Sequence, residues 1–409
     1  MTVEVASAPV HQKSLGHLTE FRSGNHDHDL PQETIDLEIA TLRRKLEAKP
    51  TFDPNLKFDP AKHLVFKDEY YKTTKQCTLD DLSIGRTRVA PVCDFAAAFP
   101  FPLLSQEAVD MMLWEAINPD TIAELARTPN LSTNATRLDF HVNGHTEQQS
   151  PFTKALFKSR ELTSILEGFT KVKMDPVYEC DRGFFNFSLA SLKPDEIKAG
   201  QMSKEQLMQE YSKQNQKNGE EIPSTLGLHY DSNTFALVIM MDIGDDAVGG
   251  ETGIITGDNK VYRVPEPKPG YATLIQGMVL RHVATKPITN SNRIACICGY
   301  GLASPENLDN CVLTTLKPSV LPRKSFDAFY RDWTSYRLTN LEKHLQYYKE
   351  KLLAEFDAGV PFDQPAFIKK CVEMEKYLRQ TWCEMEAVNN DKFPPAQFNV
   401  PYEELPDYE

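Results

Sequence analysis

Between Phe184 and Leu302 the chain is written in short apolar and β-branched runs separated by turn residues, while on either side apolar positions recur at helical spacing. Strand-like runs fall at Phe184–Leu189, Leu226–Asp242, Gly253–Ile255, Tyr262–Val264, Ala272–Gln276 and Ile294–Tyr300. Gly249-Gly250, Gly257-Asp258-Asn259 and Pro267-Lys268-Pro269-Gly270 supply turns between them. Many short strands with no long helix between them predict an antiparallel barrel or sandwich, not a βαβ fold.

The helical period appears first at Ile35, Ile39, Leu42 and Leu46, and stops before Pro50. A second helix is predicted from Ser105, a good N-cap, through Val109, Met112, Leu113 and Ile117 to the stop at Asn118-Pro119. After Pro322 the period returns: Ser325 precedes a stripe of Phe326, Phe329, Trp333, Leu341, Leu345 and Leu352, and a second stripe runs from Phe367 to Trp382. These two helices brace the sheet or, alternatively, form a homodimer contact. The organisation predicted is a polar, flexible tail at 1–30, a helical support region at 31–171, a β core at 172–302 and a C-terminal helical region at 303–409. Within the core, a polar insert at 193–224 reads as a solvated excursion, or as a lid if it borders a site.

Composition narrows the function classes. The 409 residues carry 45 Lys+Arg against 58 Asp+Glu, a net charge of −13, which disfavours nucleic acid as a partner. The longest apolar runs, Phe235–Met241 and the proline-broken Phe95–Leu104, are too short for a bilayer helix, and the first thirty residues lack the pattern of a signal peptide. Cytoplasmic residence without membrane association is the expectation. Eight cysteines without an export signal argue against a disulfide scaffold, and Cys296-x-Cys298 reads as strand packing, not half of a zinc site.

The candidate chemistry lies in Gly227-Leu-His-Tyr-Asp-Ser-Asn233. In an extended strand, residues two apart share a side, so His229 and Asp231 can present an imidazole and a carboxylate to one point. A His-x-Asp pair alone is expected by chance. A third group gives it meaning: His282 follows 51 residues after Asp231, beyond several turn-delimited strands, and Arg293 follows eleven residues later. Two imidazoles and one carboxylate on one face of a metal suit non-haem Fe(II) with open positions, and an arginine one strand away suits the far carboxylate of a dicarboxylic acid. His141-x-x-x-His145 lacks the adjacent glutamate of a metalloprotease helix and contains Gly144, so it reads as a structural loop.

With these residues in place, the sequence resembles the Fe(II)/2-oxoglutarate-dependent oxygenases, in the prolyl-hydroxylase-like branch found in filamentous fungi. The resemblance rests on Leu228-His-Tyr-Asp231, Val248-Gly-Gly-Glu-Thr252, Pro269-Gly270, Gln276-Gly277, His282 and Asn292-Arg293, over roughly 172 to 302, with Phe101–Ala108 as an upstream segment. It implies a double-stranded β-helix, a jelly-roll or cupin-like core, flanked by N- and C-terminal helices. It further implies iron held by His229, Asp231 and His282, with 2-oxoglutarate anchored by Arg293 and dioxygen as co-substrate. The implied reaction couples decarboxylation of 2-oxoglutarate to oxidation of an unactivated C–H bond, giving hydroxylation, desaturation or ring closure.

One departure stands out. Many relatives place Ser or Thr two residues after the arginine to share the carboxylate, and here that residue is Ala295. Thr252, Thr273 and Asn186 are the candidate substitutes, each of which can equally be a satisfied barrel residue. The leading expectation is an oxygenase of fungal secondary metabolism acting on a small molecule, with an amino acid such as valine as one candidate. The alternatives are the same chemistry on a protein side chain or nucleobase, and a non-catalytic β-barrel binding protein.

Overall fold

The computed structural model describes residues 32–87, 89–127, 138–190, 203–214, 222, 224–265, 267–289, 291–313, 326–383 and 385. The tail expected at 1–30, Ser325 ahead of the first C-terminal stripe, and most of the 193–224 insert lie outside them.

Thirteen strands are described: β1 Gln76–Thr78, β2 Phe95–Pro102, β3 Ala126–Arg127, β4 Leu138–Val142, β5 Met174–Pro176, β6 Phe184–Leu189, β7 Ser224–His229, β8 Phe235–Ile243, β9 Thr252–Ile255, β10 Val261–Arg263, β11 Tyr271–Ile275, β12 His282–Thr285 and β13 Arg293–Leu302. They form two antiparallel sheets. The larger runs β1-β2-β11-β8-β13-β6-β4-β3, with β5 beside β13, and the smaller runs β10-β9-β12-β7. The mainly β core with helical additions is therefore present.

The larger sheet has two unlike faces. Ile294, Cys296, Cys298 and Tyr300 of β13 point to one side with Phe185 and Phe187 of β6 and Leu237 and Ile239 of β8. Helices cover this side, among them Gln32–Glu47, Gln106–Ala116, Pro151–Lys158 and Arg160–Thr170, through residues such as Leu42, Met112, Phe157 and Leu166. By alternation the opposite face carries Arg293 and Ala295 of β13, Ser188 and Asn186 of β6, and Asp139 and His141 of β4. That inner face meets the smaller sheet, and at one end Ile254 of β9 packs among Ala97, Phe99, Ala236 and Ile275. Polar side chains lining the space between two sheets mark a site, because a sandwich interior is normally apolar.

Several predicted elements hold. Ser105 caps the Gln106–Ala116 helix, its Oγ accepting from the amide of Ala108 at 3.3 Å. The helix before Pro50 spans Gln32–Glu47, and the C-terminal pair spans Phe326–Asp357 and Gln364–Cys383.

Others need correction. The 31–171 region expected to be helical also supplies β1 to β4, which extend the larger sheet. The prolines of β2 hid it. Proline removes a ladder donor, but the β2–β11 register shifts between Ala272 and Leu274, opposite Phe101 and Ala98, so Pro100 falls at the bulge where a donor is not required. The run read as one strand from Leu226 to Asp242 is two strands in different sheets, β7 and β8, with a turn at 230–234. The described part of the insert contains a helix, Lys204–Gln214.

Candidate metal centre

β7 ends at His229, and β12 begins at His282 directly opposite it in the antiparallel ladder. Facing register places the two rings 4.3 Å apart between centroids. Asp231 lies beyond the strand end, in the turn to β8, so a turn and not strand alternation brings its carboxylate to the imidazoles. That turn is held by the Asp231 amide, which donates to the Gly277 carbonyl at 3.0 Å.

Asp231 Oδ1 lies 3.3 Å from Nε2 of His229 and 3.6 Å from Nε2 of His282. One ligand atom from each residue falls within a 4.8 Å group, the one such group of three or more among the described residues. Each imidazole is also fixed from behind. Nδ1 of His229 lies 2.6 Å from the Gly227 carbonyl, and Nδ1 of His282 lies 3.0 Å from the Leu280 carbonyl. A carbonyl only accepts, so each Nδ1 carries the proton and each Nε2 presents a lone pair to the shared point. Burial alone would raise the Asp231 carboxyl, but the pull of the His282 and His229 rings beside it, exerted when those rings carry a second proton, holds it below its ordinary range. Burial pushes His282 below the usual imidazole value, with Asp231 opposing. Two neutral imidazoles and a carboxylate form the donor set expected for a divalent metal with further positions left for exogenous ligands.

Arg293, buried at the start of β13, donates from Nε to the Gly250 carbonyl at 2.7 Å. This bond crosses from the larger sheet to the turn preceding β9, and it fixes the guanidinium on the inner face.

The three candidate partners for the Ala295 position are placed differently. Asn186 stands directly opposite Ala295 in the β6–β13 ladder, buried, with Nδ2 3.3 Å from His141 Nε2. Thr273 is buried on β11 opposite Val238 of β8, which itself pairs with Ile297, one inner-face position beyond Ala295. Thr252 is on β9 opposite Ala284, sharing the His282 side of the smaller sheet by alternation. Asn186 is thus the one adjacent to Ala295.

Sequence reasoning missed two inner-face features. Lys286, just past β12, pairs with Asp139 of β4, both buried. His141, read as part of a loop, lies in β4 beside Asn186, its ring 4.8 Å from that of Phe184. Strand β4 carries the pattern Leu-Asp-Phe-His-Val, an alternation that could have signalled it. His145 is structural, as read: it is fully buried between Ser150 Oγ at 2.6 Å and the Gly183 carbonyl at 3.0 Å. Cys296 and Cys298 are free, buried thiols, with burial pushing Cys298 up to about 12, so neither is poised to ligate metal.

No family model and no curated protein matches the chain. Solved structures do. One is an oxidoreductase of the 2OG-Fe(II) oxygenase family from Burkholderia pseudomallei, at 12% identity over 41% of this chain and 70% of that chain, with a TM-score of 0.26. Another is a Pseudomonas putida prolyl-4-hydroxylase, at 14% identity over 55% and 96% with a TM-score of 0.30. A third is a non-heme alpha ketoglutarate dependent epimerase from nogalamycin biosynthesis, at 10% identity over 55% and 85% with a TM-score of 0.33. The chemistry assigned below is carried by the chain's own residues.

Proposed function

We propose that this chain is a non-haem Fe(II)/2-oxoglutarate-dependent oxygenase that oxidises an unactivated C–H bond of a small molecule. The observation that supports it is the convergence of His229, Asp231 and His282 through Nε2 and a carboxylate oxygen, with both imidazole Nδ1 atoms committed to backbone carbonyls. The strand orders β11-β8-β13-β6 and β10-β9-β12-β7 fit the two sheets of a double-stranded β-helix, with 172–302 as catalytic core and the flanking regions as support.

Iron with 2-oxoglutarate and dioxygen supplies the oxidising chemistry, whose outcome is hydroxylation, desaturation or ring closure. The chain supplies position. His229, Asp231 and His282 would hold the metal, and the backbone bonds behind the imidazoles leave their Nε2 atoms as the nitrogens free to ligate it. Arg293, fixed by Gly250, offers a permanent cation to the distal carboxylate of 2-oxoglutarate, with Asn186 the best-placed second donor. The two sheets exclude bulk water from the space between them.

We further infer a cytoplasmic enzyme of fungal secondary metabolism, with an amino acid such as valine as a candidate substrate. No helix among the described residues is long and apolar enough to cross a membrane. Net charge disfavours a nucleobase within nucleic acid. The test is iron- and 2-oxoglutarate-dependent succinate release, screened against amino acids and metabolite pools with mass-spectrometric detection of the oxidised product. Unchanged succinate production by His282→Ala would overturn the metal assignment. Absence of both turnover and metal-dependent 2-oxoglutarate binding would leave a β-barrel binding protein.

A further inference from the structure

The C-terminal helices leave an apolar surface facing away from the body. Phe326–Asp357 and Gln364–Cys383 pack antiparallel: Trp333 Nε1 donates to the Thr381 carbonyl at 2.7 Å near one end, and Tyr348 lies 6.3 Å from Phe367 near the other. Phe329 and Trp333 join Val177, Tyr178 and Leu313 in a small core, and His344 Nδ1 lies 2.8 Å from the Pro305 carbonyl. These contacts tie one side of the longer helix to the β core.

At about 100° per residue, Leu338, Leu345 and Phe356 fall within about 20° of one another, roughly a quarter-turn beyond the line that meets the second helix. They are 53%, 47% and 49% exposed. On the shorter helix Ile368, Val372, Leu378 and Trp382 form a second stripe, again displaced from the contact line in the same rotational sense, and 37% to 53% exposed. Because the helices are antiparallel, equal rotational senses put both stripes on one side of the hairpin. The result is a two-helix face on which these exposed apolar side chains stand among exposed Glu342, Lys349 and Glu375, on the side away from Phe329 and His344.

We propose that this face is the contact between two copies of the chain, which pair their hairpins into a four-helix bundle. The exposed area of the seven side chains is on the order of 650 Å², most of the roughly 800 Å² per partner of a stable interface. An antiparallel helix pair that exposes apolar side chains on one side is half of a four-helix bundle, and a two-fold axis through that side, which carries both Glu342 and Lys349, makes the surface its own complement. The metal centre lies within the sheets, so pairing joins two complete sites and each copy supplies its own.

The experiment is light scattering and sedimentation on the full chain, wild type beside Leu345→Glu and Leu378→Glu, with circular dichroism and thermal unfolding to confirm that each variant folds. Both substituted positions are exposed in a single copy, so the variants should fold. The expected result is twice the chain mass for wild type and a shift to the single-chain mass for each variant, with the dissociation constant raised at least 100-fold. A wild type that stays single-chain at 100 μM overturns the proposal, and hydroxyl-radical protection of Trp382 in that monomer would assign the face to the chain's own residues 386–409. A dimer that persists in both variants places the contact elsewhere and equally overturns it.

Discussion

Gly277 and Asp231 are locked together through backbone and side chain: the Asp231 amide donates to the Gly277 carbonyl at 3.0 Å, and a Cβ on residue 277 would stand 1.9 Å from Asp231 Oδ2. No ordinary adjustment absorbs that distance, because the obstructing atom belongs to a half-buried carboxylate already aimed at two imidazoles. Gly277→Ala should therefore displace the carboxylate while leaving the sheets intact. Iron affinity, measured by calorimetry under anaerobic conditions, should fall about 10- to 100-fold. A variant that binds iron like wild type would show that this glycine does not position the ligand.

The grouping of His229, Asp231 and His282 was legible in the sequence, since imidazole and carboxylate are constrained narrowly by their chemistry, whereas Gly277 stood there only as part of a motif and its contact with Asp231 was not foreseen. What escaped was the means of assembly. His229 and Asp231 were expected to meet by strand alternation, whereas the strand stops at His229 and a turn delivers Asp231. Strand β2 escaped because Pro100 and Pro102 argue locally against a ladder, and the bulge that accommodates Pro100 arises only in the pairing of β2 with β11, distant in sequence. The Asp139–Lys286 pair joins residues 147 positions apart, and no local pattern announces such a contact.

Arg293 separates charge from shape. Lysine would keep the cation but lose the planar fork and the Nε bond to Gly250. Arg293→Lys should raise the 2-oxoglutarate KM at least about 10-fold, in line with the 1.5–3 kcal/mol of a charged hydrogen bond. Asn186→Ala, removing the polar group opposite Ala295, should raise it by a smaller factor. Initial rates of succinate formation against 2-oxoglutarate concentration check both, and an unaffected KM in Asn186→Ala would remove it as the second donor.

Tyr211 anchors the insert helix to the smaller sheet. Its hydroxyl donates to Glu251 Oε1 at 2.7 Å, Arg263 pairs with the same carboxylate, and the Arg263 guanidinium sits 4.3 Å over the Tyr211 ring. Burial, with the Glu251 charge adding to it, raises the Tyr211 hydroxyl well above its ordinary value, which keeps it a donor at neutral pH. Tyr211→Phe keeps the ring over Arg263 and deletes one hydrogen bond to a charged acceptor, a loss of about 1.5–3 kcal/mol in local stability. Amide exchange across Lys204–Gln214 should accelerate at least about tenfold, with exchange in β12 unchanged. Equal acceleration in both would mean that the bond supports the whole sheet and not the docking of this helix.

His145 sets an acid limit on stability that is independent of the metal centre. Burial lowers its pKa to about 4, with the hydrogen bond to the Gly183 carbonyl acting in the opposite direction. In the unfolded chain the same imidazole titrates near 6.5. The folded-state value is the lower one, so the unfolded state takes up the proton first as pH falls. The contribution of this site is complete above pH 6.5 and is lost as pH falls through that value towards 4, the loss reaching about 2–3 kcal/mol by pH 4.5. Urea unfolding of wild type at pH 7 and pH 4.5 should show that loss together with those of the carboxylates. His145→Asn should be less stable at pH 7, because Ser150 and Gly183 lose their fitted partner. It should also lose about 2–3 kcal/mol less than wild type between the two pH values. The carboxylates are common to both chains, so the difference isolates the imidazole, and matching pH slopes in wild type and variant would rule out a neutral buried His145 as the cause.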